Sequence, residues 1–268
     1  MQIFLNEQKT SISPNTTLYD LKQQKKPDAD ILIVNGFSCK SDTILSDGDK
    51  VVLIRRGEQP SANELETLMM SRHTPGVHEK IRKSVVGIAG AGGLGSNIAI
   101  ALARIGVGRL IIVDFDLVEP SNLNRQQYFI DQIGQPKVEA LRDTLQRINP
   151  LVEVQAIIKT VTSNNITELF EDVDVLAEAF DAADQKTMII SGFLCKVPDT
   201  PPVAASGLAG FGPSNTIVTE HVARHLYVVG DGCSAAQPGQ GLMAPRVGIA
   251  AYHQANAILR LLLGENPA

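Results

Sequence analysis

The chain has 268 residues, 44% of them hydrophobic and 20% charged, with a formal net charge of -5, enough for one large domain with a buried core and a small one beside it. The acid surplus argues against a general nucleic-acid or anionic-membrane binder, because each needs Lys and Arg in excess on one face. No opening stretch looks like a secretion signal, no apolar run approaches the length of a membrane span, and the scattered Cys39, Cys195 and Cys233 include no C-x-x-C pair; a cytoplasmic protein is expected, with neither a disulfide framework nor a zinc site built from two such pairs.

In chain order, Gln2 to Asn6, Lys9 to Ser13, Ile31 to Val34 and Val51 to Ile54 read as strands, and Thr17 to Gln24 as a short helix. Asn35-Gly36 and Asp47-Gly48 mark turns. Strand, strand, helix, strand and a last strand after D-G-D is the order of a β-grasp module. With M-Q-I-F-L-N at the start, I-V-N-G in the middle and L-S-D-G-D-K-V-V-L-I near the end, the stretch resembles the ThiS-type sulfur carriers, which share their fold with ubiquitin. Such carriers end in a free Gly-Gly. Here the last strand runs into R-R-G-E-Q-P, Arg55 to Pro60, and the chain continues. With no free carboxylate there is nothing to activate, so the module is read as retained for docking, dimer contacts or stability, with processing after Gly57 as the alternative.

Ser61 to Glu64 is a capping-box pattern ahead of Leu65, Leu68 and Met69 at helical spacing. A helix ending at Arg72, a turn at Thr74 to Gly76 and a polar helix from Val77 to Ser84 follow. Strands and helices then alternate as in an α/β domain: strand 85–89, helix 94–105, strand 109–114, helix 136–148, strands 152–158 and 173–180, helix 184–195, strands 202–206 and 216–219, and a final apolar helix 244–263.

Between the first of these strands and its helix, Gly90, Gly92 and Gly95 stand at G-x-G-x-x-G spacing. Side chains there would block approach of the backbone to a phosphate, and the helix behind would aim N–H groups and its dipole at that anion. A turn that merely lets helix and strand pack is the bland alternative. Asp114, at the end of the next strand and about two dozen residues past Gly90, is placed to hold a ribose, as in any dinucleotide fold. The loop after it concentrates Asn122, Asn124, Arg125 and Gln126 beside the phosphate site, which suits a triphosphate attacked at its α-phosphorus. No Walker lysine is present, so positive charge must come from Arg125, from Lys137 in G-Q-P-K, or from Arg72. Asp181, ending another strand, would face the same crevice as a magnesium ligand. Each has a plain alternative: Lys137 a solvated first-turn side chain, Asp181 a helix cap, Arg72 a surface residue.

Together G-A-G-G-L-G-S (Gly90 to Ser96, with Gly93 as its third glycine), D-F-D (Asp114 to Asp116), S-N-L-N-R-Q (Ser121 to Gln126), G-Q-P-K (Gly134 to Lys137) and A-F-D (Ala179 to Asp181) resemble the ThiF/MoeB/HesA family, bacterial relatives of ubiquitin-activating enzymes. Within it the chain looks most like the shorter ThiF branch, whose members lack the zinc cysteines. The resemblance implies an α/β fold: a Rossmann-like adenylating domain with a mixed sheet at 81–268, a helical linker at 58–80, and a small N-terminal β-grasp, ubiquitin-like domain at 1–57. It implies ATP and Mg²⁺ without zinc. Asp114 and nearby Asp116 would hold the ribose, Asn122, Arg125 and Lys137 the phosphates, and Asp181 the magnesium, while Arg72 would reach a neighbouring subunit's site in a homodimer.

Cys233 lies in G-D-G-C-S-A-A-Q-P-G-Q-G, Gly230 to Gly241, a glycine-rich loop expected to be mobile, where relatives carry a crossover loop and often a sulfur-handling cysteine. A cysteine without a partner is the alternative; Cys195 reads as core. The expected activity is adenylation of the C-terminal glycine carboxylate of a separate ThiS-type sulfur carrier, releasing pyrophosphate before sulfur arrives from a persulfide donor, with thiamine as the favoured pathway and no nucleic-acid or membrane partner. The rivals are a non-catalytic ATP-binding scaffold, a MoaD-like or other carrier as substrate, a dinucleotide-dependent oxidoreductase, and a tRNA-modifying relative disfavoured by the acidic balance.

Overall fold

A computed structural model of the chain describes residues 1–6, 8–223 and 225–268, which form two compact units, Met1–Glu79 and Lys80–Ala268.

The first unit contains β1 (Gln2–Leu5), β2 (Gln8–Ser11), α1 (Leu18–Lys25), β3 (Ile31–Val34), β4 (Phe37–Ser38), β5 (Lys50–Ile54) and α2 (Ala62–His73). Its sheet runs β2-β1-β5-β3-β4, with β1 and β5 parallel in the centre. Strand alternation sends Ile3, Leu32, Val51 and Leu53 to a core shared with Leu18 and Leu21 of α1. The other set, Ile33, Val52 and Ile54, is buried with Ile31 and Leu68 of α2 packed against it. α2 falls in the stretch expected as a helical linker, 58–80, and in the structure it rests on the sheet. Ser61 and Glu64 form the expected capping box, and Asn6 Nδ2 donates to Glu64 Oε1 at 2.8 Å. The segment after β5 is tied down as well: Arg55 Nη1 to Asp28 Oδ2 at 3.0 Å, Arg56 N to Asp30 Oδ2 at 3.0 Å and Lys26 Nζ to Glu58 Oε2 at 2.6 Å.

After α3 (Pro75–Lys83), the second unit contains β6 (Val85–Ala89), α4 (Gly93–Arg104), β7 (Arg109–Val113), α5 (Lys137–Ile148), β8 (Glu153–Ile157), α6 (Ile166–Phe170), β9 (Val175–Glu178), α7 (Ala183–Lys196), β10 (Pro202–Ala205), β11 (Val218–Ala223), β12 (Leu226–Gly230) and α8 (Ala244–Leu263). The sheet order is β11-β12-β10-β9-β6-β7-β8, parallel throughout except for β11, which pairs antiparallel with β12. The mixed Rossmann-like sheet expected from the alternating pattern is therefore present. The hairpin β11–β12 is longer than the expected strand at 216–219, and β12 carries no strand signal of its own because L-Y-V-V-G is a short apolar run with no alternation; in the sheet it lies between β10 and β11.

Helices cover both faces. On one, Phe170 of α6 and Ile189 and Phe193 of α7 join Ile111, Val113 and Leu176 in a continuous core. Burial of Phe170 and Phe193 stabilises the fold by roughly 2–3 kcal/mol each. On the other, α4 packs against α8 and α5. Because β7 and β8 lie to one side of β6 while β9 and β10 lie to the other, the chain reverses its winding between β6 and β9. Loops leaving the carboxyl ends of those two strands diverge there and leave a crevice.

Candidate active site

That crevice is a cleft of about 930 Å³. One wall is the turn from β6 into α4. Gly90 adopts φ +99° and passes so close to β9 that a Cβ there would stand 2.9 Å from Ala179 O. At Gly95 a Cβ would stand 1.8 Å from Gly90 O. Both glycines are thus required by backbone packing, which folds the turn tightly enough for Gly92 and Gly93 to line the cleft. Gly92 caps α4 without a side-chain bond, so the orphan N–H groups of the first turn are open to an anion.

Asp114 follows β7 and locks this turn from the side: its Oδ2 accepts from Ala91 N at 2.6 Å and its Oδ1 from Asp116 N at 2.8 Å. Tyr128, to which the motifs assign no role, donates its hydroxyl to Ala91 O at 2.7 Å. Burial above all, reinforced by Asp114 and Asp116, pushes the phenol well above its ordinary range, so it remains a donor. Lys137 is buried rather than solvated, and its Nζ meets Asp116 Oδ2 at 2.7 Å within the cleft lining.

The loop of Ser121 to Gln126 divides its labour. Arg125 and Gln126 line the cleft, and Gln126 Oε1 is buried without a hydrogen-bond partner. Asn122 turns inward: its Oδ1 accepts from Glu119 N at 2.9 Å, so it shapes the loop and does not line the cleft. Asn124 Nδ2 donates to Leu242 O, joining this loop to the one before α8.

Across the cleft, Asp181 follows β9. The cap of α7 is Ala182 with no side-chain bond, so Asp181 is no helix cap; it is exposed, lines the cleft, and makes no hydrogen bond or ion pair among the described residues. Behind it lies Glu178, fully buried, taking both oxygens to Lys186 Nζ at 3.0 and 3.1 Å and accepting Phe180 N at 2.7 Å. Burial pushes the Glu178 carboxyl up from the ordinary value, against the opposing pull of Lys186 and of the Phe180 and Ala205 N–H groups. This pair fixes the backbone next to Asp181 and puts Lys186 on the cleft wall. A signal for it was available: an acid inside the apolar run V-L-A-E-A-F has to be paired.

The third wall joins the loop after β10, Ser206 to Ala209, to Ser234, Ala235 and Ala236. Asp231 Oδ1 accepts from Cys233 N and Ser234 N, and its Oδ2 meets Arg246 Nη2 at 2.6 Å. Burial opposes ionisation of Asp231, but the Ser234 and Cys233 N–H groups, the Ser234 hydroxyl and Arg246 outweigh it and hold the carboxyl well below the usual range. The loop expected to be mobile is thus tied at several points. Cys233 is exposed, with its Sγ 3.6 Å from Asp231 Oδ1, and does not line the cleft. Arg72 is an exposed residue of α2, in the first unit.

Comparison with known proteins places the chain among relatives. The ThiF family model matches residues 66–268 and a ThiS-like ubiquitin model residues 1–57. Molybdopterin-synthase adenylyltransferase of Escherichia coli (strain K12) is 31% identical over 192 residues, covering 69% of this chain and 76% of that protein. Ubiquitin-like modifier-activating enzyme 5 of Caenorhabditis elegans is 47% identical over 78 residues, 29% of this chain; the match spans only 19% of that protein's length. Among solved structures, E. coli tRNA N6-threonylcarbamoyladenosine dehydratase in complex with AMP superposes with a TM-score of 0.66 at 19% identity, covering 73% of this chain and 92% of the other, a likeness of fold.

Proposed function

Because the chain belongs to the ThiF family, we propose that it uses Mg-ATP to adenylate the C-terminal glycine carboxylate of a separate ThiS-type sulfur carrier protein, releasing pyrophosphate. The observation that carries this reading is the convergence on one cleft of an uncapped helix N-terminus, two cations, Arg125 and Lys137, and the unpartnered carboxylate Asp181. The buried, unsatisfied Gln126 Oε1 on the same wall adds an acceptor for a polar ligand.

In this reading the carrier's carboxylate, already ionised at neutral pH, attacks the α-phosphorus without a general base, and the pyrophosphate leaves. Asp114 and Asp116 hold the ribose side. Arg125, Lys137 and the α4 N–H groups stabilise charge growing on the phosphate oxygens. Asp181 suits magnesium, which keeps most of its waters and takes one or two carboxylates beside the phosphates; when bound it supplies charge neutralisation. Arg72 of a second copy completes the site in a homodimer. The carrier is a separate protein because the fused β-grasp module is not built to offer an end: Arg55, Arg56 and Glu58 are tied to its own body and the chain continues. Sulfur then arrives from a persulfide donor, with the thiazole of thiamine as the favoured destination.

The test is ATP–pyrophosphate exchange by the full chain, alone and with a Gly-Gly-terminated ThiS-type carrier. Exchange should require the carrier and fall by at least about a hundredfold in Asp181→Ala. Nucleotide binding without exchange under any condition would favour the scaffold and sink the reading.

A further inference from the structure

Phe211 is 75% exposed, a large aromatic side chain in water. Its loop begins as the cleft wall, since Ser206 to Ala209 line the cleft and Phe211 stands two residues beyond them.

The ring is exposed, yet the backbone that carries it is held on both sides. Before it, Gly210 N donates to Gly241 O at 2.9 Å, and Ala209 N donates to Ser234 Oγ at 3.1 Å. After it, Arg246 Nη1 donates to Gly212 O at 2.9 Å and Pro213 O at 3.0 Å, while Nη2 reaches Thr216 Oγ1 at 3.1 Å. Arg246 is itself 4% exposed and fixed by Asp231. A flexible loop would fold an aromatic ring back onto apolar surface, whereas this framework keeps it presented outward with little ordering left to do on contact. Pre-organised aromatic side chains of this kind dominate protein interfaces.

We infer that Phe211 is the anchor on which the folded body of the carrier protein docks while its C-terminal tail enters the cleft. This rests on the adenylation reading and deepens it. The occupant follows from continuity: Ser206 to Ala209 line the cleft that the carrier's tail must enter, and Phe211 lies two residues beyond them on the same loop, so a folded body that follows the tail meets the exposed ring. ATP, held by the glycine turn and Asp114 in that reading, does not require the ring.

The experiment is steady-state exchange by the full chain with a titrated Gly-Gly-terminated ThiS-type carrier, comparing wild type, Phe211→Ser and Phe211→Tyr. Phe211→Ser should raise the KM for carrier about tenfold, leaving the KM for ATP and the rate at saturating carrier unchanged, and Phe211→Tyr should restore the wild-type value. An unmoved carrier KM in an active enzyme overturns the docking role alone. A matching rise in the KM for ATP also overturns it, since the ring would then be shaping the cleft, as would a change in oligomeric state, which would put a second copy of the chain on the ring. A wild type silent with carrier brings down the adenylation reading and this surface with it.

Discussion

The α/β unit has two glycine-rich stretches, one on either side of its cleft, and they are ordered by opposite means. In the turn from β6 to α4, Gly90 and Gly95 are there because backbone occupies the space a side chain would need: a Cβ on Gly95 would overlap Gly90 O. In the stretch from Gly230 to Gly241, Gly232, Gly239 and Gly241 would meet nothing within 4 Å, and the order comes from Asp231, Ser234 and Arg246, with Gly230 alone hemmed in by Ser206. One wall is fixed by what is missing from its side chains, the other by what a few side chains reach. The first suits a rigid anion cradle. The second permits its composition to vary while its anchors stay.

The largest break in this contrast should come from Gly95→Ala. The new methyl must push α4 away from β6, costing at least about 3 kcal/mol at the upper end of overpacking effects, and a helix displaced by about 1 Å should weaken use of ATP on the order of a hundredfold. Urea denaturation and nucleotide titration would measure the two; normal stability would show that the turn relaxes freely and that the backbone argument is wrong.

Next is Arg246→Met, which leaves the Asp231 carboxylate largely buried and the Gly212 and Pro213 carbonyls without their donor. A loss of about 3 kcal/mol is expected, with cleft residues on the far wall undisturbed by hydrogen exchange. The same pair gives a pH signature. Folding depresses the pKa of Asp231, so the unfolded chain takes up this proton first as pH falls. Its stabilisation is complete above the ordinary aspartate value of about 3.9 and is lost progressively as pH drops toward the depressed folded value. Below about pH 4 the wild type should lose stability more steeply than Asp231→Asn; parallel curves would mean that the clamp carries no such charge.

The smallest effect should be Gly241→Ala. Its backbone is not left-handed and its surroundings are open, so stability should move by less than about 0.5 kcal/mol. A loss comparable to that of Gly95→Ala would erase the distinction between the two stretches.

The sequence by itself determined the local pieces of this protein: the β-grasp order of the first strands, the strand, turn and helix around Gly90, the mixed α/β alternation, and the presence of Asp114, Arg125, Gln126, Lys137 and Asp181 in motifs that fold onto one cleft. Periodicity, glycine spacing and strand ends are local properties, and a parallel sheet gathers the carboxyl ends of its strands whatever the details. What tertiary structure alone decided lies in long-range pairings. Lys137 pairs with Asp116, 21 residues away. Glu178 and Lys186 support Asp181 from behind, Arg246 reaches back 34 residues to Gly212, and α2 folds onto the β-grasp sheet. Each of these depends on which side chains meet when the sheet closes, and burial then decides whether a charge must find a partner. Spacing along the chain carries no record of that.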